Sequence, residues 1–108
     1  MLKALCYLHK SKIVHRDLKP GNILLDSVIV DKYQRNFNVS VCDFGLAFQG
    51  SGGARSFVGT MDYMSPECIQ QEGNGYVTTN SIHVVRNKAD IWGVGCILYE
   101  LISGVLPF

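Results

Sequence analysis

The stretch His15-Arg16-Asp17-Leu18-Lys19-Pro20-Gly21-Asn22 sets a carboxylate, an ammonium and a carboxamide within six residues of one another. Pro20-Gly21 marks a loop, and the apolar run Ile23-Leu24-Leu25 behind it reads as a strand that holds the loop in place. Asp17 supplies a proton acceptor and Lys19 a compact positive charge. Further along come Asp43-Phe44-Gly45, then Gly59-Thr60 and Ser65-Pro66-Glu67. Asn22 and Asp43 bring the oxygen donors a hard cation takes, and magnesium needs only one or two protein carboxylates because it keeps several waters. Taken alone, Asn22 could equally close an Asx turn and Asp43 cap a turn. Gly45 gives the backbone freedom beside Asp43, while Phe44 is expected to pack inward.

The elements around these residues follow from spacing. Met1, Leu2, Ala4, Leu5 and Leu8 recur at helical intervals and predict the last turns of an amphipathic helix. Ile23-Leu24-Leu25 and Val39-Ser40-Val41-Cys42 predict the strands of a small hairpin, with Val28-Ile29-Val30 extending the first and Asp31 to Asn38 forming an exposed tip. Gly50 to Ser56 has the composition of a loop, Ser65 to Gln71 of a short helix, and Gln70 to Arg86 of a second polar stretch. Asn87 and Asp90 resemble a helix-start pattern, Gly104 a stop, and the apolar positions between them predict a helix buried on most sides.

Composition narrows the function class. The 108 residues carry 10 Lys and Arg against 9 Asp and Glu, are 47% hydrophobic and 18% charged, and fit one small domain or part of a larger one. A net charge of +1 creates no field toward nucleic acid or anionic lipid. Four scattered cysteines make neither a thiolate metal site nor a dense disulfide framework, so free thiols are expected. With no signal-like N-terminal stretch, cytoplasmic or nuclear placement is expected. The run from Ile91 to Phe108 is interrupted by Glu100, Gly104 and Pro107 and reads as a core helix rather than a membrane span.

The motifs in this order, followed by Asp90-Ile91-Trp92-Gly93-Val94-Gly95 opening an apolar helix, resemble the catalytic loop, magnesium loop and activation-segment end of the eukaryotic protein kinase family, serine/threonine type. The resemblance implies an α+β, protein-kinase-like fold: part of the mainly α-helical C-terminal lobe, with a small β-hairpin around the catalytic and magnesium loops. It implies transfer of the ATP γ-phosphoryl group, with Mg2+, to Ser or Thr hydroxyls of a protein substrate. In that reading Asp17 orients the hydroxyl and takes its proton, Lys19 balances charge on the γ-phosphate, and Thr60 hydrogen-bonds both. Asp43 bridges metal and phosphates, Asn22 holds the second ion, Leu24 lies under the adenine, and Cys42 borders the same pocket or is simply a buried thiol. His15 packs on Phe44 and is held by Asp90, and Arg16 receives a phosphorylated residue, Ser51 or Ser56.

By the same resemblance residues 1–108 are a partial kinase domain. The glycine-rich phosphate loop, the strand lysine with its helix glutamate, and the end of the large lobe are expected outside this stretch, and the stretch alone is expected to be inactive. Glu67 resembles a Glu that pairs with an Arg farther downstream, so here it is expected to be a buried or frustrated charge without a partner. Ser65 stands where Ala is common, a small-for-small change. The long connections after Asn22 and between Glu67 and Asp90 read as decoration, since loop length costs little entropy. The alternative is a pseudokinase or non-catalytic kinase-like binding module, against which the retention of Asp17, Asn22 and Asp43 argues.

Overall fold

A computed structural model of the chain describes residues 1–29, 35–50, 58–70 and 79–108. Helix α1 (Leu2–Lys10) turns Leu5 and Leu8 inward, as the apolar spacing predicts. These two join Leu18 and Ile97 in the core, edged by Met1, Ile13, Ile23, Val41, Tyr63 and Val94. A short strand β1 (Ile13–Val14) leads into the loop that bears Asp17, and a 3-10 turn at Pro20–Asn22 leads out of it.

Strand β2 (Ile23–Ile29) pairs antiparallel with β3 (Arg35–Val41), in register from Ile23 opposite Val41 to Ile29 opposite Arg35. The hairpin is longer than expected: Arg35 to Asn38, read from composition as tip, belong to the strand. The alternation Phe37, Val39, Val41 with Asn and Ser between is the two-residue period of a strand, and it outweighs the polar composition. Strand β4 (Phe48–Gln49) returns to pair with β1, Val14 opposite Phe48. Two residues are too few for a strand signal in sequence, so this pairing was not foreseen.

Helix α2 (Pro66–Gln70) matches the predicted short helix. Helix α3 runs from Thr79 to Ser103, so it begins before Asn87, within the stretch read as polar loop. No Gly or Pro interrupts residues 79–92, and Asp90 spends its carboxylate on another segment instead of capping. Gly104, at φ +77°, closes the helix as predicted, its N–H donating to the Glu100 carbonyl at 2.8 Å. Only one stripe of α3 is buried, through Asp90, Gly93, Cys96 and Ile97, whereas Leu98, Leu101 and Ile102 are exposed among the described residues. Within this stretch the expected burial on most sides is not reached: α1, α2, β1 and the Met61–Tyr63 turn occupy one flank. No helix among the described residues is long and apolar enough to cross a membrane.

Ser65 is 1% exposed, and its hydroxyl has no hydrogen-bond partner among the described residues. A buried hydroxyl left unpaired costs free energy. Ser65→Ala is expected to be neutral or to stabilise by about 1 kcal/mol, read as an unchanged or raised denaturant midpoint; a lowered midpoint would show that the hydroxyl is bonded.

Candidate functional site

Asp90 organises the loop from inside α3. It is 2% exposed, and its carboxylate accepts the backbone N–H of His15 at 3.0 Å and of Arg16 at 2.9 Å. The second bond fixes a costly conformation, since Arg16 lies at φ +71°, where residues with a Cβ are rare. His9 of α1 approaches the same carboxylate, Nε2 to Oδ2 2.8 Å. His15 is fully buried: its ring meets Phe44 edge to face with centroids 5.0 Å apart, and Nε2 lies 3.0 Å from the Cys42 carbonyl. The expected contacts of His15 with Phe44 and Asp90 are both present, the first through the ring and the second through the backbone, but Phe44 is 46% exposed, so the expectation that it packs inward is corrected.

With its flanks fixed, the loop presents Asp17 to a polar cluster. Lys19 Nζ donates to Asp17 Oδ2 at 2.9 Å and to Thr60 Oγ1 at 3.0 Å, and the Thr60 hydroxyl donates to Asp17 Oδ1 at 2.7 Å. Asn22 is buried and turns Nδ2 to the Asp17 carbonyl, 2.8 Å, and carboxylate, 3.3 Å. Burial alone would raise the Asp17 pKa. The hydrogen bonds from Lys19 and Thr60, with the lysine charge, outweigh it and hold the carboxyl below its ordinary 3.8. Asp17 is therefore an anion at neutral pH, with both oxygens already oriented.

Asp43 begins where the hairpin ends. The Cys42 N–H donates to the Asn22 carbonyl at 3.0 Å, extending the β2–β3 ladder and bringing Asp43 beside Asn22. Asp43 is exposed at φ +60°, with Oδ1 accepting the Gly45 N–H at 3.2 Å. The Asp43 carboxylate and the Asn22 amide oxygen are each the kind of oxygen donor that magnesium takes, few of which need come from protein. No cluster of three or more His, Cys, Asp or Glu suited to a metal occurs among the described residues.

Other predicted positions are placed as follows. Leu24 is exposed on β2, opposite Ser40, and Cys42 is half-buried. Arg16 donates from Nε to the Leu46 carbonyl at 2.6 Å, with its guanidinium over the Phe48 ring at 5.9 Å, so it ties the loop to the segment after Asp43. Ser51 and Ser56 lie outside the described residues. Glu67 is half-buried rather than buried, and no ion pair to it forms among the described residues. His9 was missed, although its sequence signal existed: it follows Leu5 by one helical turn and shares the buried stripe of α1.

Tyr63 anchors the segment beyond Thr60 to α3, its hydroxyl donating to Glu100 Oε2 at 2.6 Å. Burial, then the hydrogen bond to Glu100 and its charge, push the phenol up to about 12. A raised acid pKa stabilises the fold below the ordinary value of 10.0, and the contribution is lost as pH rises toward 12. Tyr63→Phe is expected to cost about 1–2 kcal/mol at neutral pH and to flatten the loss of stability above pH 10.0. Denaturant midpoints across pH would show both; unchanged midpoints would remove the tether.

The protein kinase domain family model matches residues 1–108. The chain is 41% identical over 115 residues to the 3-phosphoinositide-dependent protein kinase B of Dictyostelium discoideum, and 38% identical over 111 residues to the serine/threonine-protein kinase fused of Drosophila melanogaster. In both comparisons all of this chain aligns with 11% of the relative, so it spans about a tenth of their length. A solved structure described as a kinase domain superposes with a TM-score of 0.68 at 30% identity, covering 99% of this chain and 33% of the other. Since sequence and backbone agree over essentially the whole length, this chain belongs to the protein kinase family.

Proposed function

We propose that this chain carries the phosphoryl-transfer site of a serine/threonine protein kinase, using ATP and magnesium as the family does. The observation that supports this best is the ionised Asp17, with Lys19 on one oxygen and Thr60 on the other. A substrate hydroxyl placed against Asp17 has its proton directed at a carboxylate, leaving its oxygen lone pair for the γ-phosphorus. As the new O–P bond forms, the bond from phosphorus to the bridging oxygen breaks, ADP departs, and Asp17 takes the proton. Lys19, held at 2.9 Å from Asp17, sits where it can balance the charge moving onto phosphate oxygens. Asp43 and the Asn22 amide oxygen would hold magnesium, which when bound neutralises phosphate charge. Leu24 offers an apolar surface to the adenine. The Lys19–Thr60 hydrogen bond ties the loop to the segment expected to receive the Ser or Thr side chain. A binding-only role would need none of these groups to be oriented, and the Asp17 cluster is.

The test is magnesium-dependent transfer of phosphate from ATP to a Ser/Thr peptide by the full-length protein. Asp43→Asn is expected to weaken magnesium-dependent ATP binding by on the order of 10- to 100-fold, measured by nucleotide titration at fixed magnesium. Unchanged binding would exclude Asp43 as the metal ligand, and no transfer by the wild-type protein would favour the binding-only role.

A further inference from the structure

Thr60 reaches Asp17 only because the backbone one residue earlier lies almost on the Asp17 loop. Gly59 adopts φ +123°, a conformation that L side chains rarely take. A Cβ at this position would stand 2.5 Å from the Arg16 carbonyl oxygen, where ordinary contacts are 3.4–4 Å. Arg16 cannot readily retreat. Its own φ of +71° is fixed by the hydrogen bond to Asp90, and its side chain is bonded to Leu46. On the other flank of Asp17, a Cβ on Gly93 of α3 would meet Leu18 Cβ at 3.3 Å and the Leu18 carbonyl at 3.4 Å. Both neighbours of Asp17 in the chain therefore rest on glycine backbone, and the tighter contact is at Gly59.

We propose that Gly59 is a positioning residue for phosphoryl transfer: by carrying no side chain it lets the segment approach Arg16 closely enough for the Thr60 hydroxyl to bridge Asp17 and Lys19. The inference rests on the transfer function proposed above. A side chain at 59 must push the segment back by roughly the missing 1 Å to restore ordinary contact. The Thr60–Asp17 bond of 2.7 Å and the Lys19–Thr60 bond of 3.0 Å would then lengthen past hydrogen-bonding range. Thr60 is short and stiff at χ1, so it cannot follow by rotation. Asp17 would keep Lys19 but lose the partner that fixes its second oxygen.

The test is a double-mutant cycle in the full-length protein with Gly59→Ala, Thr60→Val and the pair, reading kcat and KM for ATP and peptide per nucleotide-binding site. Gly59→Ala is expected to lower kcat about 10- to 100-fold with the KM for ATP within about threefold. In the Thr60→Val background it is expected to lower kcat by less than about threefold, because the contact it breaks is already gone. Effects that multiply, an unchanged kcat, or a loss confined to KM would overturn the proposal. If Gly59→Ala does not fold, D-alanine at 59 decides. It accepts positive φ and places its methyl on the other side of Cα, so kcat should return to within about threefold of wild type; a tenfold or greater loss would overturn the assignment. An inactive wild-type protein would sink the functional reading together with this one, whereas an active protein with multiplying effects would sink only the role of Gly59.

Discussion

Asp17→Asn is expected to lower kcat by about 10²- to 10⁴-fold while leaving nucleotide affinity nearly unchanged. The asparagine keeps the shape, and its carbonyl oxygen can still accept the Thr60 hydroxyl. Its nitrogen cannot accept from Lys19, and neither atom can take the proton of a substrate hydroxyl. Because Asp43 and Leu24 are untouched, the ATP contacts proposed for them survive. Single-turnover kinetics beside a nucleotide titration separate the two effects. Turnover near wild type would remove Asp17 from its role. The carboxylate also has a stability side: its pKa is held below the ordinary 3.8, so the stabilisation it gives is present above that value and is lost as pH falls through the folded pKa. The variant should therefore lose stability at neutral pH and show a shallower acid transition.

The second large effect is expected at Asp90. Asp90→Ala leaves three donors, the His15 and Arg16 N–H groups and the His9 ring, without their acceptor in the interior. Removing one partner of a buried charged hydrogen-bond set costs about 3–5 kcal/mol, a large share of the roughly 5–15 kcal/mol that holds a domain together. Asp90→Asn should cost less, because one amide oxygen remains to accept. Equilibrium denaturation of both variants is the measurement, and a loss below about 1 kcal/mol for the alanine variant would show that Asp90 does not hold the loop. Activity should fall further than stability does, since Arg16 loses the bond that keeps its φ at +71°.

What the sequence made legible follows a physical division. Asp17, Lys19 and Asn22 could be singled out because three polar residue types stand within six residues of one another, and Asp43, Thr60 and Asp90 because the motif order carried them. Helix α1 was legible from Leu5 and Leu8, whose spacing is set by its own turns. The start of α3 was not, because Asn87 and Asp90 satisfy a local capping pattern while the carboxylate of Asp90 answers to a loop far away in sequence. The pairing of β1 with β4 was hidden for the same reason, and for His9 the helical spacing marks its inward side but not Asp90 as its partner. The closeness of Gly59 to Arg16 is likewise a tertiary distance, and a glycine beside a threonine says nothing of it.

The span of the Asp90 contacts bears on the order of folding. His15 and Arg16 are 75 and 74 positions from the aspartate that fixes them, and Asp17 is 43 from Thr60. Helix α1 and the β2–β3 hairpin close through near neighbours and can form early. The reactive loop must wait for a long chain closure, whose entropy is spent before any of its hydrogen bonds is gained. The order of the Asp17 loop is thus a late acquisition of the folding chain, arriving when α3 docks, and partial undocking of α3 would release that loop while most of the secondary structure still stood.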